Sequence, residues 1–99
     1  MILEAAFFQV KDGQADQFER AFKKASSIIS SMHGYISHEI YSCIEAEGKY
    51  LLLVRWEELE HHTKGFRGSS EYQEWKRLLH HFYDPFPTVE HFRPIDLNG

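Results

Sequence analysis

The sequence is short of several things, and each shortage closes off a class of explanation. It has one cysteine, Cys43, so no disulfide can form within the chain, and a reducing, cytoplasmic setting is expected. It has no basic surplus. The formal net charge is −4 and the pI about 5.9, the wrong sign for a surface that neutralises nucleic-acid phosphates, so no nucleic-acid partner is expected. The longest aliphatic run, Leu51 to Val54, falls far below the ~20 apolar residues of a membrane span, so no membrane partner is expected either. The opening MILEAAFFQV lacks a basic n-region and a long apolar core, which argues against a signal peptide. No HxxxH or HExxH spacing occurs and Cys43 has no nearby histidine motif, so no metal site is expected. Internal repeats and low-complexity segments are also absent.

Aromatic residues are what the chain has in surplus. Eight Phe, five Tyr and two Trp in 99 residues are more than a small monomer readily covers. A ligand pocket or a subunit interface would absorb them. The length suits one domain, spanning residues 1–99.

Along the chain the hydrophobic period switches between strand and helix. Ile2 to Val10 alternates as a strand that is apolar on both faces. Helices on one side can cover only one of those faces, so the other is expected to meet a second copy of the chain. After the Lys11-Asp12-Gly13 turn, Phe18, Phe22, Ala25, Ile29 and Met32 form the apolar stripe of a helix over Gln14 to Ser31, which ends at His33-Gly34. Tyr35 to Ile44 reads as a second strand, with Ile36, His38, Ile40, Ser42 and Ile44 on one face. A hairpin through Gly48 leads to Tyr50–Trp56, a nearly continuous apolar strand and therefore a central one. Glu57 to Lys64 is a short charged helix or turn. Ser69 or Ser70 can cap a last helix running to about His80, Pro85 and Pro87 forbid its continuation, and Thr88 to Arg93 is a final strand. The order βαββαβ predicts a ferredoxin-like α+β fold with a four-stranded antiparallel sheet and both helices on one face.

Several runs carry a resemblance beyond the fold pattern. Trp56-Glu57, Glu60-His61-His62-Thr63, Gly65-Phe66-Arg67-Gly68-Ser69, Tyr72, Trp75 and Phe86-Pro87-Thr88-Val89-Glu90-His91-Phe92 together resemble the antibiotic biosynthesis monooxygenase domain. The N-terminal Val10-Lys11-Asp12-Gly13 and the helix end at His33-Gly34-Tyr35 are similar to it too. The resemblance implies a homodimer whose sheets pack face to face as an α+β barrel, with a small cavity between sheet and helices in each subunit. It implies a monooxygenase that needs no metal, flavin or haem, in which the anion of a small aromatic or enolisable substrate gives an electron to dioxygen. The alternative is a non-catalytic ligand-binding or scaffold dimer. A haem-degrading branch of the resemblance would need Asn, Trp and His where this chain has Ala6, Phe66 and Lys76, so it departs at all three.

The candidate site residues come mostly from His61 to His91, a stretch holding five of the seven histidines. Adjacent histidines on a helix diverge by ~100°, so each of the pairs His61-His62 and His80-His81 can send one ring into a given pocket. His62, His38 and His91 are the candidate bases, since an imidazole titrates near neutrality. Arg67 or Tyr72 would steady the substrate anion. Phe66 and Trp75 would hold its ring, with Ser69 and His80 completing the binding wall. Each has a plain structural reading beside it: His62 paired with Glu58, Arg67 bridged to Glu57 or Glu71, Tyr72 and Trp75 packed in the core.

Overall fold

The structure, a computed structural model, describes residues 1–98. Its elements are β1 (Ile2–Gln9), α1 (Ala15–Ser30), β2 (Tyr35–Ser42), β3 (Lys49–Trp56), α2 (Ser70–Leu79) and β4 (Thr88–Phe92). All neighbouring strands run antiparallel in the order β2-β3-β1-β4, the ferredoxin-like arrangement.

Alternation along the strands decides where the helices pack. Ala6, Phe8 and Val10 of the first strand segment, Leu52, Val54 and Trp56 of β3, and the Phe18-Phe22-Ala25-Ile29 stripe of α1 are all buried in one core. α2 adds Trp75 and Leu79. Each large side chain buried there stabilises the fold by ~1.5–3 kcal/mol, before the entropy of ordering it is subtracted. The opposite sheet face carries Leu3, Ala5 and Phe7 of β1 opposite Leu51, Leu53 and Arg55 of β3, and no helix covers it. Phe7, Tyr41 and Phe92 on this face are exposed. Arg55 is held there by an ion pair with Glu39 on the neighbouring strand.

Two expectations from simple alternation are corrected. A register shift between Tyr35 and Ser37 turns Tyr35 toward the core and leaves Ile36 47% exposed, so Ile36 does not share the face of His38. β2 ends at Ser42 rather than Ile44, which is 95% exposed in the hairpin loop.

Between β3 and α2 the chain forms a π-helical turn, His61–Phe66, closed by the Arg67 amide donating to the His62 carbonyl at 3.2 Å. Gly68 lets it close tightly: its amide donates to the Lys64 carbonyl at 3.0 Å, and a Cβ would press on that same oxygen. Gly34 fixes the turn from the other side. It holds φ +84°, and a Cβ there would overlap the His61 ring. Gly34→Ala is expected to destabilise the fold by at least ~1–3 kcal/mol, measured as a lower urea midpoint with an unchanged m-value.

Candidate active site

The candidate site lies where β1, β3, β4 and the π-turn meet. Glu4 occupies a core-facing position on β1, in phase with Ala6 and Phe8, and is 5% exposed. The sheet register sets His91 of β4 directly across from it. Trp56 of β3 donates its indole N–H to Glu4 Oε1 at 2.9 Å. His62 descends from the π-turn and stacks on the Trp56 ring, with centroids 5.6 Å apart. Its Nε2 lies 3.4 Å from Glu4 Oε1, and its Nδ1 shares a 2.8 Å hydrogen bond with His91 Nε2. The four side chains form one connected polar cluster inside an otherwise apolar interior.

Burial dominates the electrostatics of this cluster. It pushes the Glu4 carboxyl up from 4.5 to about 7, partly offset by the Trp56 hydrogen bond and the positive charge of Arg67. It pushes His62 down from 6.5 to about 3, with Arg67 and His91 adding to the fall. His91 is depressed for the same reasons, burial first and Arg67 second. His62 is therefore held neutral around pH 7, where Glu4 changes charge.

Beside Glu4 and His62 is a cavity of about 40 Å³, bounded also by Phe66, Arg67, Tyr72, Trp75, His80, Tyr83 and Phe86. Phe66 meets Tyr72 and Trp75 edge-on at 5.2 and 5.6 Å, so much of the space is filled by the chain's own rings. Tyr83, 5% exposed, has the one buried side-chain polar atom among the described residues that lacks a hydrogen-bond partner, its hydroxyl. His80 packs against Tyr83 and the exposed Phe86 at the mouth, and burial lowers its pKa.

The structure thus brings together His62, His91, Arg67, Tyr72, Phe66, Trp75 and His80 from the sequence candidates. His38 lies elsewhere. Its Nδ1 is bonded to the Tyr35 hydroxyl and its Nε2 to Ser26 Oγ at 3.1 Å, on the far side of the core against Phe22. Ser69 caps α2, accepting from the Tyr72 amide at 3.1 Å and donating to the Phe66 carbonyl at 2.6 Å. Ser69→Ala is expected to cost ~1 kcal/mol of stability, read by thermal or urea denaturation. Arg67 forms no ion pair with Glu57 or Glu71, and it is His61, not His62, that engages Glu58, accepting from its amide at 3.2 Å.

Glu4 is the residue that reading the histidine-rich stretch misses. Its signal was present: a lone carboxylate at strand spacing from Ala6, Phe8 and Val10 must point where they point.

A four-stranded antiparallel sheet backed by two helices, with an acid–imidazole cluster beside a small cavity, defines the class as a ferredoxin-like α+β protein. Comparison with known proteins gives the family. The antibiotic biosynthesis monooxygenase profile matches residues 1–78, and the chain belongs to that family. The uncharacterized protein YczJ of Bacillus subtilis (strain 168) is 61% identical over 95 residues, covering 96% of this chain and 100% of YczJ. A crystal structure from Bordetella bronchiseptica, named for the same family, superposes with a TM-score of 0.91 at 30% identity, covering 95% of this chain and 96% of its own. SnoaB from Streptomyces nogalater, described as a cofactor-independent oxygenase, shares the fold with a TM-score of 0.76 at 15% identity, covering 99% of this chain and 97% of SnoaB. No helix among the described residues is long and apolar enough to cross a membrane.

Proposed function

We propose that this chain is a cofactor-independent monooxygenase of a small aromatic or enolisable molecule, working as a homodimer. One observation carries the reading: a buried carboxyl, Glu4, borders an aromatic cavity, and burial pushes its pKa up to about 7, where a general base is most effective. His62, expected from the sequence to be a base itself, is pushed down to about 3, and burial lowers His91 as well; in this reading both instead surround the carboxylate. In this reading Glu4 removes the proton, and Arg67 with Tyr72 steadies the resulting anion. Phe66 and Trp75 hold the ring, and the unpaired Tyr83 hydroxyl binds a polar substituent. The anion passes an electron to dioxygen, the radicals combine, and the hydroperoxide loses water. For a CH₂ carbon the product is a ketone; both hydrogens leave in the water, so no external reductant is required. The family membership and the cofactor-independent oxygenase of the same fold support this chemistry.

The uncovered sheet face supports the homodimer. A groove of about 330 Å³ on that side, lined by Phe7, Tyr41, Ile44 and Leu51, would be closed by a second copy.

A second reading, a non-catalytic dimer, is favoured by the same cavity's size. About 40 Å³ is room for roughly a water molecule, and a ring would have to displace Phe86 and His80 at the mouth. Oxygen consumption separates the two. With small phenols and polycyclic phenols, in chelator and without flavin or haem, the oxygenase reading predicts protein-dependent uptake of one dioxygen per product. No uptake, and no rise in melting temperature with any of these compounds, would establish the scaffold. A Soret band and activity only with added haemin would overturn both.

A further inference from the structure

We propose that Glu4, His62 and His91 form a proton relay joining the cavity to the edge of the sheet. Glu4, 5% exposed on β1 between β3 and β4, meets solvent only through the narrow cavity, whereas His91 stands partly exposed on the edge strand β4. His62 stands between them: its Nδ1 is hydrogen-bonded to His91 Nε2 at 2.8 Å, and its Nε2 lies 3.4 Å from Glu4 Oε1, a contact that must shorten for a proton to pass.

A neutral imidazole carries one N–H, so the bridge has two arrangements. In one, the Glu4 carboxyl faces an unprotonated His62 Nε2, and His62 Nδ1–H donates to His91 Nε2. In the other, His62 Nε2–H faces the Glu4 carboxylate, and His91 Nε2–H donates to His62 Nδ1. Passing from the first to the second moves the carboxyl proton to His62 Nε2, the Nδ1 proton to His91 Nε2, and the His91 Nδ1 proton to water. One proton leaves, Glu4 becomes a carboxylate, and both imidazoles end neutral. The reverse steps bring a proton in. Neither ring holds a lasting charge, which fits the direction in which burial shifts both of them.

The charged and titratable groups facing the relay come from four sides: Arg67 from the π-turn, Tyr72 from α2, His80 and Tyr83 from the segment after it, and Glu4 and His91 themselves from the sheet. α1 contributes only Ile29 to this cavity. Arg67 stabilises the carboxylate arrangement and disfavours imidazolium at either histidine. The relay's use in turnover rests on the oxygenase reading. Its existence does not, and it can be tested on the ligand-free protein.

The test is nitrogen-15 NMR of the imidazole rings from about pH 5.5 to about pH 8.5, where the second arrangement replaces the first. The relay predicts that the His62 N–H moves from Nδ1 to Nε2 with a midpoint at about 7, that His91 gains its N–H on Nε2 in step, and that His62 does not become imidazolium. In Glu4→Gln the switch should vanish, leaving one tautomer at every pH. A single His62 tautomer throughout in wild type, formation of His62 imidazolium, or a switch that survives Glu4→Gln with the same midpoint would overturn it. The wild-type titration decides the question even if the variant folds poorly.

Discussion

Glu4→Gln is expected to lower kcat by ~10²–10⁴-fold and, at alkaline pH, to make the protein more stable than wild type. The two effects have one cause. The Glu4 carboxyl is raised from 4.5 unfolded to about 7 folded, so between these values the folded chain binds the extra proton. Its neutral form is fully tolerated below 4.5, and stability is lost as pH rises through about 7, by about 3 kcal/mol in all. Gln cannot ionise and escapes that loss. His62 works in the opposite sense: its pKa falls from 6.5 to about 3, so it costs stability as pH drops below 6.5. Between 4.5 and 6.5 the two slopes oppose each other in wild type. The difference between wild type and Glu4→Gln isolates the carboxyl. Urea unfolding of both proteins should show the variant gaining relative to wild type from about pH 5 to about pH 8.5, by an amount of that order. A constant difference across this range would mean that Glu4 is not held neutral by burial.

Leu53→Asp is expected to abolish the proposed homodimer. Leu53 sits opposite Ala5 in the middle of the uncovered sheet face, beside Leu3, Phe7 and Leu51. That face is open in a single chain, so the change leaves the core of each subunit untouched. In a face-to-face dimer it buries one unpaired carboxylate per copy, each costing several kcal/mol. Affinity should fall by ~10²-fold or more. Sedimentation at micromolar concentration should show dimer for wild type and folded monomer for the variant. A monomeric wild type would remove the interface altogether.

The fold was readable because its signals are periodic. The Phe18-Phe22-Ala25-Ile29 stripe could only be a helix against a core, and Pro85 with Pro87 could only end one. The errors arose where backbone irregularity breaks a period. The bulge that exposes Ile36 leaves no pattern of its own, and the early end of β2 strands Ile44 in solvent. The site was half legible. Aromatic and histidine density pointed to the π-turn and α2, and the structure gathers His62, Phe66, Arg67, Tyr72, Trp75 and His91 near one cavity. What the sequence hid was pairing across the sheet. His38 and His91 look alike on their strands, but β4 lies next to β1 and Glu4, whereas β2 lies at the other edge, where Tyr35 and Ser26 satisfy His38. Strand order, which no local pattern encodes, separates a partner of the candidate base from a structural histidine.

The central claim is that Glu4 is a buried carboxyl poised to change charge near neutrality. Carbon-13 NMR of the glutamate side-chain carboxyls, with the Glu4 resonance assigned by its absence in Glu4→Gln, reads this without any substrate. The account predicts one carboxyl titrating at about 7, well apart from the exposed glutamates. A Glu4 resonance that titrates with the others near its unperturbed 4.5 would contradict it, and with it the assignment of Glu4 as the base.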